Sequence, residues 1–134
     1  MDKKPLIKLF AKEEGWDAVQ NILSKIEAGR MGGAISVFTL TEIYCKYLQE
    51  KRPDLAKTRT EELRYPIYLK KIDINEEVAV KAGEFKGKYN VSIADALTAA
   101  TAYFERSTII SDDEDFKRIQ EVKTLTEDEL ILNF

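Results

Sequence analysis

The chain has 134 residues, of which 44% are hydrophobic and 34% are charged. It is long and apolar enough to bury a core, and we expect a single domain over residues 1–134. It contains no histidine, which excludes catalytic triads, general bases and metal sites that depend on histidine. The net charge of −3 gives no overall attraction to nucleic acid, so an enzyme acting on nucleic acid would need cations and local basic patches.

Apolar residues at helical spacing alternate along the chain with short β-branched runs. The first pattern predicts amphipathic helices and the second predicts buried strands. In chain order we expect a helix over 16–29, a strand over 34–38, helices from 39 and over 55–65, a strand within 67–74, helices over 76–89 and after 92, strands over 108–110 and 122–125, and a helical turn from 126. The apolar run 6–11 is too short to predict more than a strand end or a helical turn.

Polar residues before several of these helices are of the kind that cap a helix N-terminus. Asn75 and Ser92 can each accept a hydrogen bond from an amide of the first turn. Residues 39–42 (T-L-T-E) and 126–129 (T-E-D-E) match the capping box. Strands that alternate with capped helices predict an α/β fold, with one mostly parallel sheet covered on both faces.

Four acidic residues fall where predicted strands end and helices begin. They are Asp2, Glu42, Asp95 and Asp113. In a parallel sheet these junctions lie at one edge, so residues that are distant in sequence can meet in one pocket. Carboxylates that converge without histidine or cysteine form an oxygen-ligand site for Mg²⁺ or Mn²⁺. Such a site supports hydrolysis of a phosphodiester by metal-activated water.

Each acid also has a purely structural interpretation. Glu42 can simply complete the capping box that begins at Thr39. Asp95 suits the first turn of a helix, where the helix dipole favours negative charge. The run 112–115 can form an acidic turn on the surface. No single acid decides between the two interpretations, and their shared placement at strand-to-helix junctions is what favours a common site.

The acidic motifs resemble those of the PIN domain family and, within it, those of VapC-type toxins. S-I-A-D-A-L followed by S-D-D-E-D-F resembles the C-terminal half of that domain, and residues 8–19 (K-L-F-A-K-E-E-G-W-D-A-V) resemble its first helical region. Glu42 in S-V-F-T-L-T-E, Asp95 in S-I-A-D-A and Asp113 in S-D-D-E-D-F match the family's acids. Asp115 matches its auxiliary acid.

This resemblance implies a fold and a function. The fold is a three-layer α/β/α arrangement with a mostly parallel central sheet. The function is that of a toxin in a type II toxin–antitoxin system, an endoribonuclease that cleaves RNA with Mg²⁺ or Mn²⁺. The acids Glu42, Asp95 and Asp113 would be catalytic metal ligands, with Asp115 and Asp2 as further ligands. The resemblance also implies a homodimer, and a cognate antitoxin whose C-terminal segment lies over the active site.

The resemblance is incomplete at the N-terminus. The family opens with an apolar strand that runs into an acid followed by small hydroxyl residues, whereas this chain begins M-D-K-K-P-L-I. Asp2 therefore matches the first acid without a strand before it, and Lys3 and Lys4 replace the hydroxyl residues. We expect the first strand, which lies in the middle of the family's sheet, to be absent or truncated. Its loss would weaken both the core and the site.

Two other functions stay open at this stage. One is a catalytically inactive PIN-like module that binds a protein or RNA partner, which the absent strand and the two lysines favour. The other is a flavodoxin-like or receiver-like domain, which also carries acids at strand ends. The chain lacks the acidic pair after the first strand and the late lysine that are typical of that class, so we rank it lower.

Several basic residues cluster in the middle third of the chain, with two more before the helix that follows Ser92. They are Lys46, Lys51, Arg52, Lys57, Arg59, Arg64, Lys70, Lys71, Lys86 and Lys88. In a nuclease they would contact RNA phosphates, although a solvated helix face is the simpler interpretation.

The sequence also carries weak indications of its compartment. The one cysteine, Cys45, is expected to be a buried thiol and suits a reducing environment. No apolar run approaches the roughly 18 to 20 residues of a membrane span and no signal peptide is recognisable, so we expect a cytoplasmic protein without membrane contact.

Overall fold

The computed structural model of the chain describes residues 1–133. Helices and short strands alternate in it largely as the sequence predicts. In chain order the elements are α1 (Lys3–Ala11), α2 (Trp16–Glu27), β1 (Gly33–Ser36), α3 (Val37–Gln49), α4 (Pro53–Arg64), β2 (Leu69–Ile72), α5 (Glu76–Tyr89), α6 (Ile93–Glu105), β3 (Ile109–Ile110), α7 (Glu114–Lys117), β4 (Thr124–Leu125) and α8 (Glu127–Asn133). Within the described range, no helix is both long enough and apolar enough to cross a membrane.

The strands form two separate parallel pairs. β1 pairs with β2, with Gly33 opposite Leu69, and β3 pairs with β4, with Ile109 opposite Thr124. Both pairings are parallel, as the alternation of strands and helices predicts. The expected single sheet is nevertheless divided into two halves of two strands each, because no strand in residues 1–133 lies between β1 and β3.

Helix α1 takes the place of the strand end or helical turn expected over 6–11. The helix follows Asp2 and tolerates Pro5, because Pro5 lies in the first turn, where an amide has no carbonyl partner within the helix. Leu6 is completely buried in a cluster that includes Ile35 of β1. Tertiary packing of this apolar face stabilises a helix that the short apolar run alone does not predict.

The predicted caps of three later helices are confirmed. The side chain of Asn75 accepts a hydrogen bond from a first-turn amide of α5 at 2.9 Å, and Ser92 does the same for α6 at 3.1 Å. Thr126 and Glu129 each bond the amide of the other at 3.1 Å, which is the reciprocal pattern of a capping box. These contacts are local in sequence, and for that reason the sequence alone identifies them.

The capping box predicted for residues 39–42 is wrong. Helix α3 begins directly after Ser36, whose side chain accepts a hydrogen bond from the Phe38 amide at 3.2 Å. Thr39 is fully buried, and its hydroxyl has no hydrogen-bond partner among the described residues. The helix starts earlier than predicted because Ser36, the last residue of β1, is itself a good cap. Glu42 therefore does not serve as a capping residue.

Helix α6 is buried along most of its length and packs against α5. Ala96, Ala99 and Ala100 are completely buried, and these small side chains leave room for the fully buried ring of Phe85 on α5. The first turn of α6 carries Asp95, which is buried as well. The acid is therefore fixed to a helix that the core holds in place.

Cys45 is exposed on α3, and the prediction of a buried thiol is wrong. Ile43 and Tyr47, which are four residues apart, lie on one face of the helix and are buried. Cys45 stands midway between them in sequence and therefore points to the opposite face.

Candidate metal centre

Three acidic residues meet beyond the end of β3. Asp95, Asp113 and Asp115 each offer a carboxylate oxygen, and these oxygens all lie within 4.8 Å of one another. Asp95 is buried, whereas Asp113 and Asp115 are partly exposed. The three side chains supply hard oxygen donors of the kind that hold Mg²⁺ or Mn²⁺. The residues therefore fit the class of metal that the sequence predicts.

Backbone hydrogen bonds fix the positions of these acids. The Asp95 amide donates to Oγ of Ser92, which holds Asp95 in the first turn of α6. Asp113 is the N-cap of α7, and its Oδ1 accepts a hydrogen bond from the Asp115 amide at 3.0 Å. One residue thus caps a short helix and offers its second oxygen to the site, and Asp115 follows in the first turn of that helix.

Ser111 connects Asp2 to this group. It is completely buried directly after β3, and its hydroxyl donates to Oδ2 of Asp2 at 2.8 Å. The same hydroxyl oxygen accepts a hydrogen bond from the Asp113 amide at 3.0 Å. Asp2 is only 2% exposed. The residue that matches the family's first acid is therefore held firmly against the site, although no strand of the described chain precedes it.

The electrostatics of the site disfavour an unneutralised set of charges. The pKa of Asp95 is raised to about 6, first by burial and then by the carboxylates of Asp113, Asp2 and Asp115. Burial also raises the pKa of Asp2, against the effect of its hydrogen bond from Ser111. Two ionised carboxylates at this range repel by about 4 kcal/mol at an effective dielectric near 20. Either protonation or a bound cation relieves that repulsion.

Lysines of α1 supply positive charge around the acids. The Nζ atom of Lys4 lies 3.4 Å from Oδ2 of Asp113. Nζ of Lys8 lies 2.6 Å from Oδ2 of Asp112 and also pairs with the buried Glu127. These pairs tie the first helix to the acidic turn after β3, and they neutralise part of the charge of that turn.

Glu42 lies outside the group of three. Its Oε2 accepts a hydrogen bond from Nζ of Lys3 at 2.6 Å. Burial raises the pKa of Glu42, Lys3 lowers it, and the negative charge of Asp2 raises it. The charges of Glu42, Asp2 and Asp95 all raise the pKa of Lys3. Lys3 therefore stands between Glu42 and the acids that approach one another.

Ser111 and the lysines of α1 are the parts of the site that the sequence did not reveal as functional. Ser111 could have been noticed as a small hydroxyl residue directly before the acidic run, at the end of a predicted strand. Lys3 and Lys4 were seen only as replacements for hydroxyl residues. With α1 predicted as a helix, the spacing of Lys4 and Lys8 would have placed both on one helical face.

Many residues of the basic cluster pair with acids on the surface. Lys46 lies 3.2 Å from Glu50, and Arg59 lies 3.0 Å from Glu62. Arg52–Asp54, Lys70–Glu105 and Lys88–Glu121 are further pairs. This is the arrangement of a solvated face with ion pairs, so the proposed contacts of the cluster with RNA stay a prediction.

Comparison with known proteins agrees with this geometry. Two solved structures are similar in fold. One is a toxin–antitoxin complex from Klebsiella pneumoniae, with a TM-score of 0.66, 21% identity and 94% of each chain covered. The other is VapBC2 from Rickettsia felis bound to a DNA fragment from their promoter, with a TM-score of 0.76 and 19% identity over 92% of this chain and 94% of that chain. No curated protein matches the sequence.

The low identities mean that these two structures establish the fold alone. The fold predicted from the resemblance is confirmed, with its sheet in two halves. The sequence itself matches the family model described as PIN domain over residues 1–122, which is most of the chain. The chain belongs to the PIN domain family.

Proposed function

We propose that the chain is a metal-dependent endoribonuclease that hydrolyses RNA phosphodiester bonds at the acidic site, as the toxin of a type II toxin–antitoxin pair. The convergence of Asp95, Asp113 and Asp115 within 4.8 Å carries the proposal. Family membership supports it, because PIN domains are generally nucleases. The sequence has no histidine, so carboxylates and a metal are the groups best suited to activate water.

Each acid has its own part in the proposed site. Asp95 and Asp113 would hold Mg²⁺ or Mn²⁺, with Asp115 as a supporting ligand. The bound ion would act as a Lewis acid that activates water and screens the scissile phosphate. Asp2 lies behind them and adds negative charge through its fixed position on Ser111. The buried first turn of α6 keeps Asp95 from moving away when the ion leaves.

The lysines of α1 would act on the substrate side of the site. Lys4 pairs with Asp113, yet nearly half of its side chain is exposed, so its ammonium can reach a phosphate outside the pocket. Glu42 would enter the ligand set when Lys3 turns from it toward an RNA phosphate. The exchange keeps the local charge balanced, because the phosphate and the glutamate compete for one ammonium.

Partners enter the proposal through the two similar structures. Both are titled as complexes of the toxin–antitoxin type, which supports a cognate antitoxin as a protein partner of this chain. We include a homodimer and a cytoplasmic location in the proposal, on the strength of the family resemblance. RNA as the substrate rests on the same resemblance and on the chemistry of the acids.

The proposal is tested by cleavage of a structured RNA with the purified full chain. We expect cleavage with Mn²⁺ or Mg²⁺ and none with EDTA. The double variant Asp95→Asn with Asp113→Asn should lose nearly all activity, while Asp73→Asn, an exposed acid far from the group in sequence, should retain it. Cleavage that survives in the double variant would overturn the proposal.

A catalytically inactive module is the second candidate, and the contacts of α1 favour it. Lys3 and Lys4 hold Glu42 and Asp113, so two of the predicted ligands already have a cationic partner. Under this alternative the chain would bind RNA or the antitoxin equally well with and without divalent metal. Filter binding of RNA with Mn²⁺ and with EDTA, run beside the cleavage assay, separates the two functions.

A further inference from the structure

The two half-sheets present edges to each other without a strand between them. β1 pairs only with β2, and β3 pairs only with β4, within residues 1–133. An unpaired strand edge carries amides and carbonyls that another backbone can bond. The described chain thus leaves two such edges side by side.

The first two residues of the chain already connect these edges. The amino group of Met1 donates to the carbonyl of Ala34 on β1 at 2.6 Å. The next amide along the chain, that of Asp2, donates to the carbonyl of Ile110 on β3 at 3.2 Å. Successive residues that bond to opposite neighbours are the pattern of a central strand. One backbone spans the two edges here, so β1 and β3 are one strand apart at this end.

An open groove continues from Met1 along both edges. Its volume is about 540 Å³, and it is bounded by Gly33 of β1 on one side and Ile110 of β3 on the other. Ile22 and Ile26 of α2 form part of its wall and make it apolar. A smaller cavity of about 40 Å³ lies next to Met1 as well.

The residues around the small cavity show what the second face of an inserted strand would meet. Thr98, Thr101 and Ala102 of α6 line it, together with Ala34 and Ile109 from the two strand edges. These side chains are small. An inserted strand would therefore place large apolar side chains toward α2 and small ones toward α6, since alternate residues of a strand point to opposite faces.

We propose that the groove between β1 and β3 is a slot for one apolar β-strand of about four residues, which runs parallel to both and continues directly into Met1. The residue ahead of Met1 would donate its amide to the Thr108 carbonyl, and the residue before that would donate to Gly32. The strand would join the two halves into one parallel sheet of order β2, β1, inserted strand, β3, β4. This inference does not depend on the nuclease proposal, because it concerns the backbone edges and not the acids.

The position of Met1 selects a strand within the same chain over a separate peptide. The Met1 nitrogen faces into the slot and bonds Ala34, so a residue attached to it is delivered to the next hydrogen-bonding position without any rearrangement. A separate peptide would have to order its own backbone and lose its translational freedom on binding.

The experiment compares three forms of the full chain by thermal unfolding. The first is the chain as it stands. The second carries Val-Ile-Val-Ile joined ahead of Met1, and the third carries Pro-Ile-Pro-Ile in the same place, where each proline lacks an amide donor. We expect the Val-Ile extension to raise Tm by about 5 °C or more and the proline extension to leave it nearly unchanged. Equal Tm values for the two extended forms would overturn the proposal.

Hydrogen exchange gives a second readout, independent of global stability. The slot strand should protect the amides of Ala34 and Ile110, which face it, more than the exposed amide of Ser107. Protection confined to the Val-Ile form supports the proposal, and unchanged exchange at both amides contradicts it. If a free Val-Ile peptide stabilises the chain and the fused extension does not, the slot takes a strand from another molecule and the continuity with Met1 is wrong.

Discussion

The hydroxyl of Ser111 donates to Oδ2 of Asp2 at 2.8 Å, although 109 positions separate the two residues in the sequence. The contact joins the start of the chain to the end of β3. Because the Asp113 amide donates to the same hydroxyl oxygen, one buried serine orients two acids of the candidate metal centre. The fold of the N-terminal segment and the geometry of the site are therefore linked at a single side chain.

Replacing Ser111 with alanine is expected to damage stability and metal binding together. The change leaves the buried Asp2 carboxylate without its donor and should lower the free energy of unfolding by about 1 to 3 kcal/mol. Mn²⁺ affinity should fall because Asp113 loses its support. Urea unfolding and metal titration check these effects. Ser107→Ala is the matched control, since Ser107 is exposed and its hydroxyl donates only to a nearby backbone carbonyl. Equal effects of the two changes would contradict this role for Ser111.

Removing the charge of Lys3 is expected to strengthen metal binding. Lys3→Met frees Glu42 from its ammonium partner and increases the negative charge near Asp2 and Asp95. We expect the Kd for Mn²⁺ to fall by about 2- to 5-fold, the range of a partly exposed ion pair. Isothermal calorimetry at two salt concentrations measures it. Lys57→Met on the exposed surface of α4 should leave the Kd unchanged, and a weaker affinity in Lys3→Met would show that the lysine supports the site.

The protonation of Asp95 predicts a specific pH dependence of stability without metal. Its pKa is raised from 3.8 in the unfolded chain to about 6 in the fold, so the folded state holds the proton more tightly. The free energy of unfolding should therefore fall as pH rises from about 4 to 6 and change little from this source above that range. Asp95→Asn should be more stable than the natural chain at pH 7, by about 1 to 2 kcal/mol after screening by solvent.

Urea unfolding in EDTA across pH 4 to 8 tests this sign. The advantage of Asp95→Asn should shrink toward pH 4, where the natural carboxyl is protonated in both states. The exposed Asp128→Asn change serves as control and should run parallel to the natural chain. A stability of the natural chain that rises from pH 4 to 6 relative to Asp95→Asn would mean that the carboxylate is stabilised in the fold instead.

Local features of the fold were predictable and long-range ones were not. Ser92 and Asn75 could be identified as caps because a cap depends on a side chain and an amide a few residues away. The capping box at Thr39 failed because Ser36, two residues after the start of β1's buried end, competes for the same helix start. The division of the sheet depends on which strands become neighbours, which no local pattern contains.

The same distinction applies to the site. The proximity of Asp95 and Asp113 followed from their places at strand-to-helix junctions, because one edge of a parallel layout collects such junctions. The separation of Glu42 from them did not follow, since it depends on Lys3, which lies 39 positions away and sits on a helix that the sequence did not predict. The metal-binding roles of all five acids stay predictions.

Calorimetric titration of the full chain with Mn²⁺ at pH 7.5 tests the central claim most directly, since it asks whether the three carboxylates share a cation. We predict saturable binding that is lost in Asp95→Asn and in Asp113→Asn and is retained in the exposed-acid control Asp73→Asn. Binding that is absent from the natural chain, or that persists unchanged when Asp95 and Asp113 are both replaced, would contradict the account.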